Sequence, residues 1–450
     1  MNYAVILRTM PALLMLAAMA HGQPRLSLDD YVREGLANNL ALKQQKLMLE
    51  KSGQSVRQAS GLFMPSVTLN ARYTQLGGNV VNLGDALNPA YAALNQLTNS
   101  SAFPTDLDFR LPLRQETKVS ITQPLLQPNV LFNYQIQNSL YNATEAATHV
   151  SERDLAAKIK TAYLTHAKTT RVVELYEKTL PLLDENVRVN ERLVANQKAT
   201  LDALYRAKAE LSDVKQKLAD AERQQDAAAQ YFNYLLARPL GSEIQAIADD
   251  ALAEELTMSL DDAQAKAKSL REELMQLKAG IAASETSVSI NTANFFPTLS
   301  LGIDYGFQGN RYDFRSGQDF FTASLVAQWN IFNGFQDDAK RQQAIIETKR
   351  LETQLADTEN LIALQVRQAH NDVRVAKQAI QTASDRLLAA QKSFELIAKK
   401  YEQGKAAQVE YLEARTAYTN AGINEIITRY DYFIKQVEME RAAGLYKLNN

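Results

Sequence analysis

The 450-residue chain contains no cysteine. That excludes disulfides, thiolate zinc sites, iron–sulfur clusters, thiol nucleophiles and a lipid-modified cysteine. Histidine is nearly as scarce: His21, His149, His166 and His370 are the four, and no two stand at the i, i+4 spacing of a helical metal site. Neither sign of charge prevails, with 49 Lys plus Arg against 51 Asp plus Glu, so the strong positive field of a general nucleic-acid binder is missing. Glycine (17) and proline (11) are few, which favours long uninterrupted helices. No segment after the first twenty-odd residues is an uncharged apolar run of the ~20 residues that a transmembrane helix needs. A membrane-inserted form of this chain would therefore be a β-barrel, the other structure that satisfies the backbone in lipid.

What is present starts with an amino-terminal segment of the secretory type. Arg8 precedes the uncharged, mostly apolar stretch Met10 to Ala20, and Ala18-Met19-Ala20 or Ala20-His21-Gly22 offers a small-residue cleavage site. Residues 1–22 are read as a signal peptide, and the mature chain as exported.

The remainder repeats itself. Ser27-Leu28-Asp29-Asp30 aligns with Ser259-Leu260-Asp261-Asp262, and the same offset of 232 places Phe63 on Phe295, Pro65 on Pro297, Leu69 on Leu301 and Tyr73 on Tyr305. Further on the offset becomes 208, so that Asn196 meets Gly404, Asp202 meets Glu410 and Leu204 meets Leu412. Residues 23–240 and 259–450 each read as helix, strand, loop, strand, long helix, turn, long helix, with 241–258 as a linker.

Between Gly334 and Gly404 lie 69 residues without Gly or Pro. Within them Ile362, Val366, Ala369, Val373, Ala376, Ile380, Ala383, Leu387, Ala390, Phe394, Ile397 and Tyr401 recur at alternating spacings of 4 and 3, a coiled-coil seam. Leu204 to Leu235 and Val409 to Phe433 repeat the pattern. At 1.5 Å per residue the longest segment extends roughly 100 Å. Pro181 interrupts the corresponding helix of the first half, where a kink or a break between two stacked helices is expected.

The hairpins are placed at 65–123 and 297–329. Val67, Leu69, Ala71 and Tyr73 alternate with Ser66, Thr68, Asn70 and Arg72, and Leu299, Leu301, Ile303, Tyr305 and Phe307 do the same. Strands return near 115–123 and 320–329. Their lengths suit tilted transmembrane strands, and Tyr73, Tyr305, Phe307, Trp329 and Phe332 lie near strand ends, where an aromatic girdle sits. Four strands cannot close a membrane barrel, whose minimum is about eight, so several chains must contribute. A soluble four-stranded sheet with one packed face is the competing reading.

The Ser-Leu-Asp-Asp opening of each half, the Phe-x-Pro strand entry at Phe63 to Pro65, and Tyr401-Glu402-Gln403-Gly404 followed by Val409-Glu410-Tyr411-Leu412-Glu413-Ala414-Arg415 resemble the TolC family of outer-membrane efflux proteins. The resemblance covers essentially the whole mature chain. It implies a homotrimer with a twelve-stranded β-barrel in outer-membrane lipid and a long α-helical barrel across the periplasm. It also implies a periplasmic adaptor (membrane fusion) protein and an inner-membrane transporter as partners, efflux or type I secretion as the task, and no cofactor.

By the same resemblance the turns near Asn196 and Gly404 are periplasmic tips that meet the adaptor. Asp202 and Tyr401 match the family's closing link, and Glu410 and Glu413 its acidic rings. Ala406 falls where the linking Arg would be, with Lys405 or Lys198 as substitutes. Without the family, Glu410 and Glu413 read as a solvated helix face. The turn-rich loop from Thr74 to Arg114 is a lid, a receptor surface or a tolerated insertion. Gly302, Gly306 and Gly309 lie on a strand without a following helix and make no phosphate loop. No nucleophile, base or metal constellation stands out. A periplasmic coiled-coil scaffold or adaptor is the alternative to a channel, and an exported enzyme the third class.

Overall fold

A computed structural model describes residues 27–78, 80–111, 113–247 and 258–446. The expected signal peptide, and residues 248–257 of the expected linker, lie outside them. Nine helices and six strands are described, and the chain divides into two compact units.

One unit holds the chain up to Lys43, Ser151–Leu270 and Ile362 onward, and it is helical. The repeated Ser-Leu-Asp-Asp motif proves to be a helix start. Ser27 caps α1 (Leu28–Asn38), its hydroxyl accepting from the Asp30 N–H while Asp30 accepts from the Ser27 N–H at 2.7 Å. Ahead of α6 (Leu260–Leu270) the Ser259 hydroxyl likewise accepts from the Asp262 N–H, at 3.1 Å, and donates to the Asp262 carboxylate at 2.6 Å. Asn39 ends α1; its side chain accepts from the Leu42 N–H to open α2 (Leu40–Gly61) and donates to the Leu235 carbonyl at 2.8 Å.

The unit's core gathers Tyr31, Val32, Ile159, Tyr163, Phe232 and Leu236, all essentially buried. The Tyr31 and Tyr163 hydroxyls accept from the backbone N–H groups of Gln245 and Ile247, which pins the chain that follows α5 (Leu201–Leu235). A second core sets Leu164, Tyr430, Phe433 and Val437 against Val373, Ala376 and Ile380. The predicted seams are the buried stripes: Ile362, Val366 and Ala383 on α8 (Gln336–Glu402), and Ala207, Val214, Ala221 and Phe232 on α5, carry almost no exposed surface.

Pro181 does not break its helix. α4 runs from Pro128 to Ala195 as one element with the proline inside. The missing N–H leaves the Glu177 carbonyl without its helical partner, but the turn is held from outside. Leu183 is buried, and Arg415 of α9 (Gln408–Ala443) donates to the Thr179 carbonyl at 2.9 Å. Tertiary packing overrides the local breaker.

The other unit comprises Gln44–Val150 and Arg271–Leu361. It contains α7 (Glu272–Ala293) and a four-stranded sheet of β1 (Ser66–Tyr73), β4 (Gln115–Leu126), β5 (Thr298–Gly309) and β6 (Asp319–Gln328), in that order and antiparallel throughout. Among the described residues β1 and β6 each have one neighbour and one free edge. The Trp329 indole donates to the Phe295 carbonyl at 3.0 Å and fixes the foot of the second hairpin.

The expected loop from Thr74 to Arg114 is a structured insertion instead. It contains β2 (Val81–Asn82) paired with β3 (Arg110–Leu111), and α3 (Gly84–Thr98) between them. Its turn-rich composition hid these elements, because asparagine side chains rather than a long apolar pattern hold them in place.

Candidate functional site

The sequence points to the sheet and to the turns between the paired long helices.

The strand registers sort every residue of the sheet onto one of two faces. Val67, Ile121, Ile303 and Ala323 lie in one cross-strand row, and Leu69, Val119, Tyr305 and Phe321 in the next. The row on the other side of the first sets Leu301 opposite Leu325. This face is apolar and uncovered; Leu69 is 72% exposed and Phe321 66%. Aromatic rings flank it, with Tyr73 stacked on Tyr312 at 5.8 Å and Phe307 edge-on to Phe314 at 5.3 Å. Phe332 and Phe335 lie exposed just beyond the end of β6.

The opposite face is polar. Thr68, Ser120, Asp304 and Thr322 form one row. Beside it a charge ladder crosses three strands: Arg72 to Glu116 at 3.0 Å, Lys118 to Glu116 at 3.3 Å and Lys118 to Asp304 at 2.9 Å. Gly306 leaves room for it, since a Cβ there would lie 2.5 Å from the Lys118 Cβ. A sheet with one face apolar and exposed and the other polar and charged has the two faces that a wall between lipid and water requires. No described helix is long and apolar enough to cross a membrane.

At the turns, α4 and α8 end in the same way. Lys198 N–H bonds to the Leu193 carbonyl and Gln197 N–H to that of Val194; Lys405 and Gly404 repeat this with Lys400 and Tyr401. Both are Schellman endings, which need one residue at positive φ. Gly404 supplies it at φ +70°, but its counterpart is Gln197 at φ +59°, not Asn196. Asn196 instead folds its amide back to the Arg192 carbonyl at 2.7 Å. The offset that superposes the two turns is thus 207, one less than the sequence alignment implies. Thr200 caps α5, donor to it being the Ala203 N–H, whereas Ala407 at the equivalent place has no capping side chain.

Of the residues matched to the family's gate, Asp202 pairs with Arg206 of its own helix at 2.9 Å and is well exposed. Tyr401 stacks on Tyr411 at 4.9 Å, and Tyr411 packs against Phe394. Among the described residues Asp202 and Tyr401 make no contact with each other, and neither Lys198 nor Lys405 forms an ion pair with Asp202. Glu410 and Glu413 share an exposed stripe of α9.

Sequence reasoning missed the residues on the other side of that helix. Gln408 donates to the Ala203 carbonyl at 2.8 Å, Arg415 to that of Thr179, and Thr416 to Glu210 at 3.0 Å, so that α9 is tied to α4 and α5 at three levels. Arg415 is 4% exposed, and burial pushes its guanidinium below the usual range, with Tyr411 and Glu210 acting the other way. Burial likewise raises the Tyr411 hydroxyl. A basic residue next to a heptad seam was the available sign.

Residues 264–445 match the family described as outer membrane efflux protein. Similar folds occur in CusC, at TM-score 0.78 and 15% identity over 93% of this chain and 92% of that one. VceC, an outer membrane protein of Vibrio cholerae, gives 0.74 and 17% over 93% and 96%. The MtrE outer membrane channel of Neisseria gonorrhoeae, in its open state, gives 0.76 and 16% over 94% and 89%. No curated protein matches by sequence.

Proposed function

We propose, from the match of residues 264–445 to the outer membrane efflux protein family, that this chain belongs to that family and is the outer-membrane channel of a tripartite efflux or secretion system. In this reading it is a passive conduit from periplasm to exterior. An inner-membrane transporter supplies the energy, and a periplasmic adaptor joins the two at the helix turns around Gln197 and Gly404.

The observation that carries the reading is the two-faced sheet with two free edges. An unpaired edge in lipid leaves a row of unsatisfied backbone groups. Because the four strands alternate in direction, β1 and β6 run opposite ways, so β6 of one copy can pair antiparallel with β1 of the next and a ring can close. Three copies, as in the family the sequence resembles, pass the ~8 strands that a membrane barrel requires. A soluble scaffold has no use for an apolar face of this extent left in water.

Extraction tests this directly. The protein is expected to sediment with the outer membrane, to need detergent for release, and to have a native mass in detergent three times that of the chain. A monomer as the main species overturns it.

The docking surface has its own test. Among the described residues nothing lies within 4 Å of a Cβ placed on Gly404, so the position is open to a side chain. Gly404→Ala carries the backbone penalty of a side chain at positive φ, about 1 kcal/mol, without bulk. Gly404→Trp is expected to abolish export while the oligomer forms normally, and Gly404→Ala to export nearly as wild type. Export by both variants at normal abundance removes the tip from the docking surface.

A further inference from the structure

The insertion between β1 and β4 carries a surface that none of the above uses. α3 is firmly braced on one side. Asn88 donates to the Leu107 carbonyl at 2.9 Å and accepts from its N–H at 2.8 Å; Asn95 does the same with Phe103 at 2.7 and 3.0 Å. Asn82 accepts from the N–H groups of Gly84 and Phe109, both at 3.0 Å. Gly84 approaches so closely that a Cβ would lie 1.7 Å from the Leu107 oxygen. Tyr91 packs its ring on Phe103 at 5.6 Å.

The other side is bare. Leu83, Leu87, Ala90, Leu94 and Leu97 follow one another at spacings of 4, 3, 4 and 3, and every one is exposed, Leu97 to 84%. That is the a/d seam of a coiled coil, displayed by a rigidly held helix. From Ala86 to Thr105 there is no charged residue, in a chain that is 22% charged. Phosphate-bearing lipid headgroups are held by Lys and Arg, and this face offers none. What complements both the spacing and the lack of charge is an identical seam. Each copy in a ring closed through the β1 edge brings one α3 on the hairpin that forms that edge.

We propose that α3 is a self-association surface: the helices of neighbouring copies pack seam to seam and form an apolar constriction at the rim of the barrel. The proposal rests on the reading of the chain as a ring of several copies. Two heptads are too short to associate free in solution, but attachment to a common barrel makes the contact effectively intramolecular. Apolar constrictions of this kind obstruct a pore by dewetting.

The absence of cysteine makes the test clean. Leu97→Cys on the seam and Gln96→Cys beside it are compared in the purified, detergent-solubilised oligomer with a mild oxidant. Leu97→Cys is expected to give covalent dimers on a non-reducing gel at least ten-fold more abundantly than Gln96→Cys, and to react more slowly with a membrane-impermeant maleimide. Two results overturn the seam contact: Leu97→Cys labelled as fast as Gln96→Cys and uncross-linked, which places it in open water, or reached only by a lipid-soluble maleimide, which places it on the membrane. The native mass of the same sample separates the two readings. An oligomer without cross-links overturns the seam alone, whereas a monomer overturns the ring as well.

Discussion

Ala323→Arg is expected to abolish assembly in the outer membrane, and Thr322→Arg, one residue away, to leave it intact. The two positions are adjacent on β6 and both are exposed in the single chain, so the chain's own packing does not distinguish them. They differ in face. Ala323 lies opposite Ile303 in the apolar row at mid-strand, while Thr322 lies opposite Asp304, which can receive the new guanidinium. A cationic side chain on the lipid face near the bilayer midplane costs about 2–4 kcal/mol, and a ring incurs that cost once per copy. On the water-filled side the same side chain costs little. The comparison is made by measuring the share of each variant recovered as detergent-stable oligomer from outer-membrane fractions. Equal recovery of the two variants would refute the lipid-facing assignment, and with it the membrane wall.

The features legible beforehand were those with a period. Strand alternation placed the apolar and polar faces of β1 and β5 correctly, and the 4–3 spacing identified the residues that α5 and α8 bury. The repeated Ser-Leu-Asp-Asp was visible as a coincidence, and its cause, two serine hydroxyls that each accept from the N–H of the aspartate three residues on, needed the structure. What stayed hidden depends on contacts distant in sequence or on competition between local terms. Pro181 predicts an interruption by its own chemistry, but Leu183 and Arg415 act from outside the helix. Asn196 was the better candidate for positive φ, yet the turn is set one residue later, because the helix ends where its last carbonyls find donors and not where the most tolerant residue stands. α3 carries only two heptads in a segment rich in Asn, Ser and Pro, and its bracing by Asn82, Asn88 and Asn95 leaves no periodic trace.

The four residues proposed for the gate separate into two sets whose substitution should have opposite kinds of effect. Glu410 and Glu413 stand on the exposed stripe of α9, opposite the side that Gln408, Arg415 and Thr416 tie to α4 and α5, and their carboxylates have no ion-pair or hydrogen-bond partner among the described residues. If that stripe faces the interior of a ring, symmetry multiplies two unpaired carboxylates per chain in a confined space, and the focused field raises the local cation concentration by about tenfold or more. Glu410→Gln/Glu413→Gln is therefore expected to lower the cation-to-anion permeability ratio several-fold, by roughly that factor at most, and to weaken block by multivalent cations. For Asp202 and Tyr401 we propose a part in closure instead. Asp202 orders Arg206 at 2.9 Å, and the Tyr401 ring is already engaged by Tyr411, which leaves its hydroxyl as the group available to a neighbouring copy. Asp202→Ala and Tyr401→Phe should raise single-channel conductance with selectivity unchanged, Tyr401→Phe doing so with the stacked ring preserved. Planar-bilayer recordings separate the cases. Unchanged selectivity in the double Gln variant means that the stripe faces bulk solvent, and unchanged conductance in both other variants means that the helix ends are held by the ties of Gln408, Arg415 and Thr416 alone.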